Sequence, residues 1–197
     1  MSIRNTALYI GLFSAAQFAG AQNLVENPSF DADASSWMTP PSGVWSVAQD
    51  HTGGNSGSLQ MTTSSFAEAS QCIVVVPNQN YEFAAWIEQD PFREFDPCPT
   101  PEWGFRVSWH SDLTCQAGNF VDPLEGGDGP FPLGWEHHTF EVTAPPAANS
   151  VRVALDVGCK EQHGTSIFYF DDVSFTRDAI FKGDFEITAP GIGPGSG

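Results

Sequence analysis

The chain has 197 residues, with 24 acidic side chains against 7 basic ones and a formal charge of −17. Its isoelectric point lies near 4.2. Nucleic acid and anionic membranes both demand basic surface, so this balance excludes them as partners, while neutral polymers and divalent cations stay compatible. Acidity alone is no calcium signature, because solubility favours the same bias.

In chain order, the first segment reads as an export signal. Arg4 supplies a positive start, residues 7–13 an apolar stretch, and Ala19-Gly20-Ala21 a small-residue cleavage site, so residues 1–21 are expected to be removed. No later run is long and apolar enough to span a bilayer. A secreted protein, periplasmic or extracellular and without membrane insertion, is expected.

Residues 23–31 are extended but broken by Asn27-Pro28, and residues 45–49 alternate like a strand. A loop over 51–57 follows, then strands over 58–62 and 72–76, a turn at 77–80, and a strand over 81–89. A Pro-rich excursion (90–101) leads into a strand at 103–110. Beyond the Gly/Pro-rich loop 112–134 come strands at about 136–143, 151–157 and 167–175. No sustained 3.6-residue apolar period occurs outside the leader. The fold class expected is all-β, a two-sheet antiparallel sandwich of jelly-roll type over 22–177, with a disordered Gly/Pro-rich tail over 178–197.

The last strand carries the costliest feature. Alternation along Ile-Phe-Tyr-Phe-Asp-Asp-Val-Ser-Phe (167–175) puts Tyr169, Asp171, Val173 and Phe175 on one face. If that face is the core, Asp171 is a buried anion, and it needs a partner. Lys and Arg are scarce, so a bound cation is expected, and calcium suits carboxylate and carbonyl oxygens best. The competing possibility is that Asp171 ends the strand in water.

Four stretches resemble one family. They are Asn-Leu-Val-Glu-Asn-Pro-Ser-Phe-Asp (23–31) with Trp37, Gly-Gly-Asn-Ser-Gly-Ser-Leu-Gln-Met (53–61), the hairpin over 75–87, and Phe-Asp-Asp-Val-Ser-Phe (170–175). Together they are similar to carbohydrate-binding modules of the family 4/9, cenC-like type. The resemblance implies a galactose-binding-like jelly roll with a structural calcium. It maps the ion's ligands onto Asn27, Asp31, the loop beginning at Gly53, and Asp171, with Asp172 as second choice. Pro28-Ser29 stands where the family more often has glycines.

A jelly roll built with strands 58–62, 81–89, 103–110 and 151–157 in one sheet gives that sheet an outer face. If Tyr81, Phe83, Ala85, Ile87, Phe105, Val107, Trp109, Val151, Val153, Leu155, Val157, Leu59 and Met61 point inward, the outward set is Trp86, Gln60, Glu88, Arg106, His110, Arg152 and Asp156. An aromatic plane stacks on the C–H face of a pyranose, and planar polar groups bond vicinal hydroxyls, so these seven residues are the candidate sugar site. A solvated face with cross-strand ion pairs is the competing reading. Trp37, Trp45 and Trp135 are expected as core lids.

An even cysteine count in an exported chain reads as two disulfides. The same layout predicts Cys115–Cys159 and Cys72–Cys98. No CxxC spacing points to zinc, and the neighbouring His137 and His138 project to opposite faces of a strand.

A glycoside hydrolase needs two carboxylates across a cleft, roughly 5–9.5 Å apart, one of them with a raised pKa. Glu82 and Glu88 stand about 20 Å apart at ~3.4 Å per residue. Arg106 and Arg152 are expected to lower the pKa of Glu88 and Asp156. The function expected is therefore a non-catalytic, monomeric module that binds a polysaccharide or oligosaccharide. The alternatives are an exported structural or surface-display sandwich without a sugar site and, behind it, an accessory part of a glycoside hydrolase or lyase.

Overall fold

The computed structural model describes residues 22–54, 56–90, 98–124, 126, 132, 134–160 and 164–177. The expected leader (1–21) and tail (178–197) lie outside the described residues. Nine strands follow one another: β1 (Gly43–Ser46), β2 (Ser58–Thr63), β3 (Phe66–Val74), β4 (Asn80–Gln89), β5 (Pro101–His110), β6 (Phe120–Leu124), β7 (Glu136–Thr143), β8 (Ser150–Cys159) and β9 (Ser166–Arg177). They form two antiparallel sheets, one in the order β1-β2-β9-β4-β7 and the other in the order β3-β8-β5-β6. The result is an all-β two-sheet sandwich, and no helix occurs among the described residues.

The period-2 pattern builds the core. Tyr81, Phe83, Ala85 and Ile87 of β4 are buried between the sheets, facing Phe105, Val107 and Trp109 of β5 and Val151, Val153, Leu155 and Val157 of β8. Each large apolar side chain so placed contributes roughly 1.5–3 kcal/mol. Phe83 meets Phe105 across the two layers at 4.6 Å between ring centroids, and within the five-stranded sheet Tyr81 stacks on Phe175 at 4.9 Å. Trp37 is buried in this core, and Trp45 is packed against it.

Alternation shows which side chains share a face of one strand, but not which strands share a sheet. The expected four-strand face does not form. β9 inserts between β2 and β4, whereas β3 and β5 flank β8 in the other sheet. Trp86, Gln60 and Glu88 therefore lie on one outer face of the sandwich, and Arg106, His110, Arg152 and Asp156 belong to the opposite sheet. Two strand assignments also change: β3 starts at Phe66 rather than near Cys72, and β6 occupies part of the 112–134 loop.

The cysteines pair as Cys72–Cys115 and Cys98–Cys159, not as Cys115–Cys159 and Cys72–Cys98. Antiparallel neighbours bring the end of one strand to the start of the next. Pro101 at the start of β5 opposes Cys159, which places Cys98 beside it. His110 at the other end opposes Ser150, so Cys115 arrives next to β3, whose Cys72 opposes Arg152.

A bulge resets the last strand. Trp86 opposes Asp171 and Ala84 opposes Ser174, so β9 holds one residue more than β4 over this interval. Asp172 takes up the excess at φ +46°. Phe168 and Phe170 point inward before the bulge, and Val173 and Phe175 after it. Asp171 shares the outer side with Tyr169 rather than the core side with Val173 and Phe175.

Candidate functional site on the two outer faces

The outer face of the four-stranded sheet is read from its register. Across β3, β8 and β5 the rows are Phe66–Gly158–Glu102, Glu68–Asp156–Gly104, Ser70–Ala154–Arg106 and Cys72–Arg152–Ser108. Small residues (Gly158, Gly104, Ser70, Ala154, Ser108) floor a strip between longer charged side chains. Arg106 donates to Glu68 at 3.1 Å and to Asp156 at 2.6 Å, and Arg152 stands 3.8 Å from Glu68. Two buried polar atoms in this cluster, Oδ1 of Asp156 and Nε of Arg152, have no hydrogen-bond partner among the described residues. Burial pushes the Asp156 carboxyl up to about 6, with Arg106 pulling it down and Glu68 pushing it further up. The expected depression of Asp156 by its arginine neighbours is thus overturned, because desolvation outweighs their attraction.

Phe66 stands at one end of the strip, 54% exposed, with the Arg106 guanidinium 5.2 Å from its ring centroid. Sequence reading missed it by starting the strand too late. The signal was present: Ala67, Ala69 and Ile73 are core residues of one parity, which turns Phe66 and Glu68 outward. At the other end His110, expected to be open, is buried beneath Phe120, with its Nδ1 3.3 Å from the Gln116 carbonyl oxygen. The Cys72–Cys115 bridge stands at this end.

The outer face of the five-stranded sheet is covered. Asp50 accepts hydrogen bonds from the backbone N–H groups of Thr52, Gly53 and Gly54 and from the Thr52 and Ser56 hydroxyls. That turn folds His51 down onto Trp86, ring on ring at 3.8 Å and 18° between planes. Trp135 meets His51 edge-on at 5.7 Å, and His137 lies 5.1 Å from Trp86. Trp86 points outward as expected, but one plane of its ring is taken by an imidazole. Beside it one buried oxygen of Glu88 has no hydrogen-bond partner among the described residues. Burial together with Asp90 raises its pKa, against the lowering expected from Arg106 and Arg152, which lie on the other sheet. Gln60 lies opposite Tyr169, and its amide donates to the Thr62 hydroxyl.

Asp171 is fully buried on this face by the same turn. The His51 N–H donates to its Oδ2 at 3.2 Å and the Asp172 N–H to its Oδ1 at 2.8 Å, while His51 Nδ1 lies 2.9 Å from Asp172 Oδ2. Burial raises the Asp171 carboxyl to about 6, against the pull of the Asp172 N–H. One ligand atom each from His51, Asp171 and Asp172 lies within 4.8 Å of the others.

Calcium takes six to eight oxygen ligands. The side-chain donors that converge among the described His, Cys, Asp and Glu residues are a nitrogen and two carboxylates. Asp31 is exposed and outside the converging group, the Asn27 amide is turned to the Asp33 and Ser35 carbonyls, and the Gly53 N–H is bonded to Asp50. Of the set mapped onto Asn27, Asp31, Gly53, Asp171 and Asp172, only Asp171 and Asp172 belong to the converging side-chain group among the described residues. Sequence reading passed over His51 as loop; its place one residue after the turn-forming Asp50 was the only signal.

No family model and no curated protein matches this chain. Solved structures do. A carbohydrate-binding module of family 61 in complex with β-1,4-galactotriose superposes with a TM-score of 0.53 at 15% identity, covering 80% of this chain and 99% of that one. The CBM22-1 xylan-binding domain from Paenibacillus barcinonensis gives 0.55 at 13% identity, over 80% and 95%. The enzymatically active domain of tailspike protein 4 from bacteriophage CBA120 gives 0.59 at 16% identity, with 79% of this chain matched to only 21% of the tailspike chain. The fold of this chain is the jelly roll of carbohydrate-binding modules.

Proposed function

We propose that this chain is a non-catalytic carbohydrate-binding module whose sugar lies across the outer face of the four-stranded sheet. Phe66 supplies the apolar plane, and Arg106, Arg152 and Asp156 supply donors and acceptors for hydroxyls. The observation that carries the reading is the exposed Phe66 ring with the partly exposed Arg106 guanidinium 5.2 Å from its centroid. A hydroxyl, donor and acceptor at once, suits the Arg106 and Arg152 side chains, which are 42% and 36% exposed. Two arginines balance Glu68 and Asp156 here, in a chain of charge −17, so the ligand class is a neutral glycan. Trp86 is assigned no sugar contact, because His51 covers it. The two disulfides support an oxidising, extracytoplasmic location.

The test is an affinity-gel panel that includes galactan and xylan, the ligand classes of the matched modules. Retardation of the wild type that is lost in Phe66→Ala supports the proposal. A folded protein retarded by no polysaccharide supports the structural-domain alternative. The raised pKa of Asp156 favours a second reading, a hydrolase in which that carboxyl is the acid. Release of reducing ends from a bound polymer, lost in Asp156→Asn, would establish it.

A further inference from the structure

We propose that His51, Asp171 and Asp172 form a binding site for a borderline divalent cation of the zinc type, on the sheet face opposite the proposed sugar strip. The donor set is one imidazole nitrogen and two carboxylates within 4.8 Å of one another. That is the chemistry of zinc, cobalt or nickel sites rather than of an all-oxygen calcium cage. A tetrahedral ion has ligands at about 2.0–2.2 Å, so small rotations of the two partly exposed side chains, His51 and Asp172, close the site. Three protein ligands leave the fourth position for water.

The imidazole is fixed before any ion arrives. Trp86 stacks on one plane at 3.8 Å and Trp135 meets it edge-on, leaving Nδ1 aimed at Asp172. Asp171 is fully buried, yet no Lys or Arg salt bridge reaches it among the described residues; its carboxylate is held by two backbone N–H groups. Those bonds orient the carboxylate and leave lone pairs free for a metal. The bulge turns consecutive carboxylates, which would otherwise face opposite sides, toward one nitrogen. His51 and Asp172 side chains are 22% and 29% exposed, which gives an ion a path in.

The experiment uses the tag-free chain stripped with chelator, then titrated with Zn2+, Co2+ or Ca2+ alone. Zn2+ is expected to raise Tm, and Co2+ to produce visible d–d absorption of a low-symmetry N/O site. His51→Ala and Asp172→Asn, both checked for retained circular dichroism, are expected to weaken Zn2+ binding at least tenfold. A rise in Tm with Ca2+ that His51→Ala leaves intact, together with no visible Co2+ band, overturns the proposal in favour of an oxygen-only site. Zn2+ binding unchanged in both variants overturns it as well. Neither outcome bears on Phe66 or the sugar strip, since the two sites occupy opposite sheets.

Discussion

The two outer faces of this sandwich are made by the same alternation and end in opposite states. On the four-stranded sheet, Arg106, Arg152 and Glu68 lie over a buried floor of short side chains and stay partly exposed, with Phe66 exposed at one end. On the five-stranded sheet, the Asp50 turn lays His51 over Trp86 and buries Asp171. A large aromatic residue on a strand's outward parity is therefore no mark of an open site. What decides is whether a neighbouring loop comes back over it.

The open face has both disulfides at its ends, and breaking them has the largest expected effect. The bridges close loops of 61 and 43 residues, so replacing either cysteine pair by serine is expected to cost about 3–4 kcal/mol in denaturant unfolding. Loss of Cys98–Cys159 also frees the end of the strip that carries Phe66, which opposes Gly158, and is expected to weaken sugar binding, whereas loss of Cys72–Cys115 frees the far end and acts chiefly through stability. Next comes the covered face. A Cβ on Gly57 would lie 2.5 Å from Trp45 Nε1 and 2.6 Å from the Ser46 carbonyl oxygen. Gly57→Ala is expected to cost about 1–3 kcal/mol by overpacking, measured as a fall in Tm.

The smallest effect for a single group is a pH dependence, part of it on the open face. Asp156 has a folded value of about 6, above the ordinary 3.8, so the fold favours its protonated form. That stabilisation is complete below pH 3.8 and is lost as pH rises through about 6. The unfolding free energy of the wild type from urea denaturation is expected to fall over this window by about 1–2 kcal/mol for each of Asp156 and Asp171, whose carboxyl also lies at about 6. Asp156→Asn is expected to remove about half of the change. An equal slope in the variant would place the titrating group elsewhere.

Much of this was legible in the residues. Absence of a helical period, short alternating runs and turn-rich joints gave the all-β sandwich, and the inward parities of β4, β5 and β8 were read correctly. Parity is local, however, and sheet membership is not. Nothing in the Trp86 and Arg106 strands says that β4 and β5 fall in different sheets, or that β9 comes between β2 and β4. A bulge is equally silent: Asp171-Asp172 reads as two alternating positions until Asp172 adopts φ +46°. The cysteine pairing failed on direction alone, since antiparallel order joins strand end to strand start. Phe66 was legible and overlooked, while His51 needed the loop's tertiary position.

The contrast between the faces is tested most directly by the dissociation constant for a retarding polysaccharide, measured for Phe66→Ala and Trp86→Ala side by side. The account predicts at least a tenfold loss for Phe66→Ala with unchanged Tm. It predicts a lowered Tm for Trp86→Ala, with affinity within twofold of wild type below its unfolding transition. Loss of binding in folded Trp86→Ala with none in Phe66→Ala would contradict it.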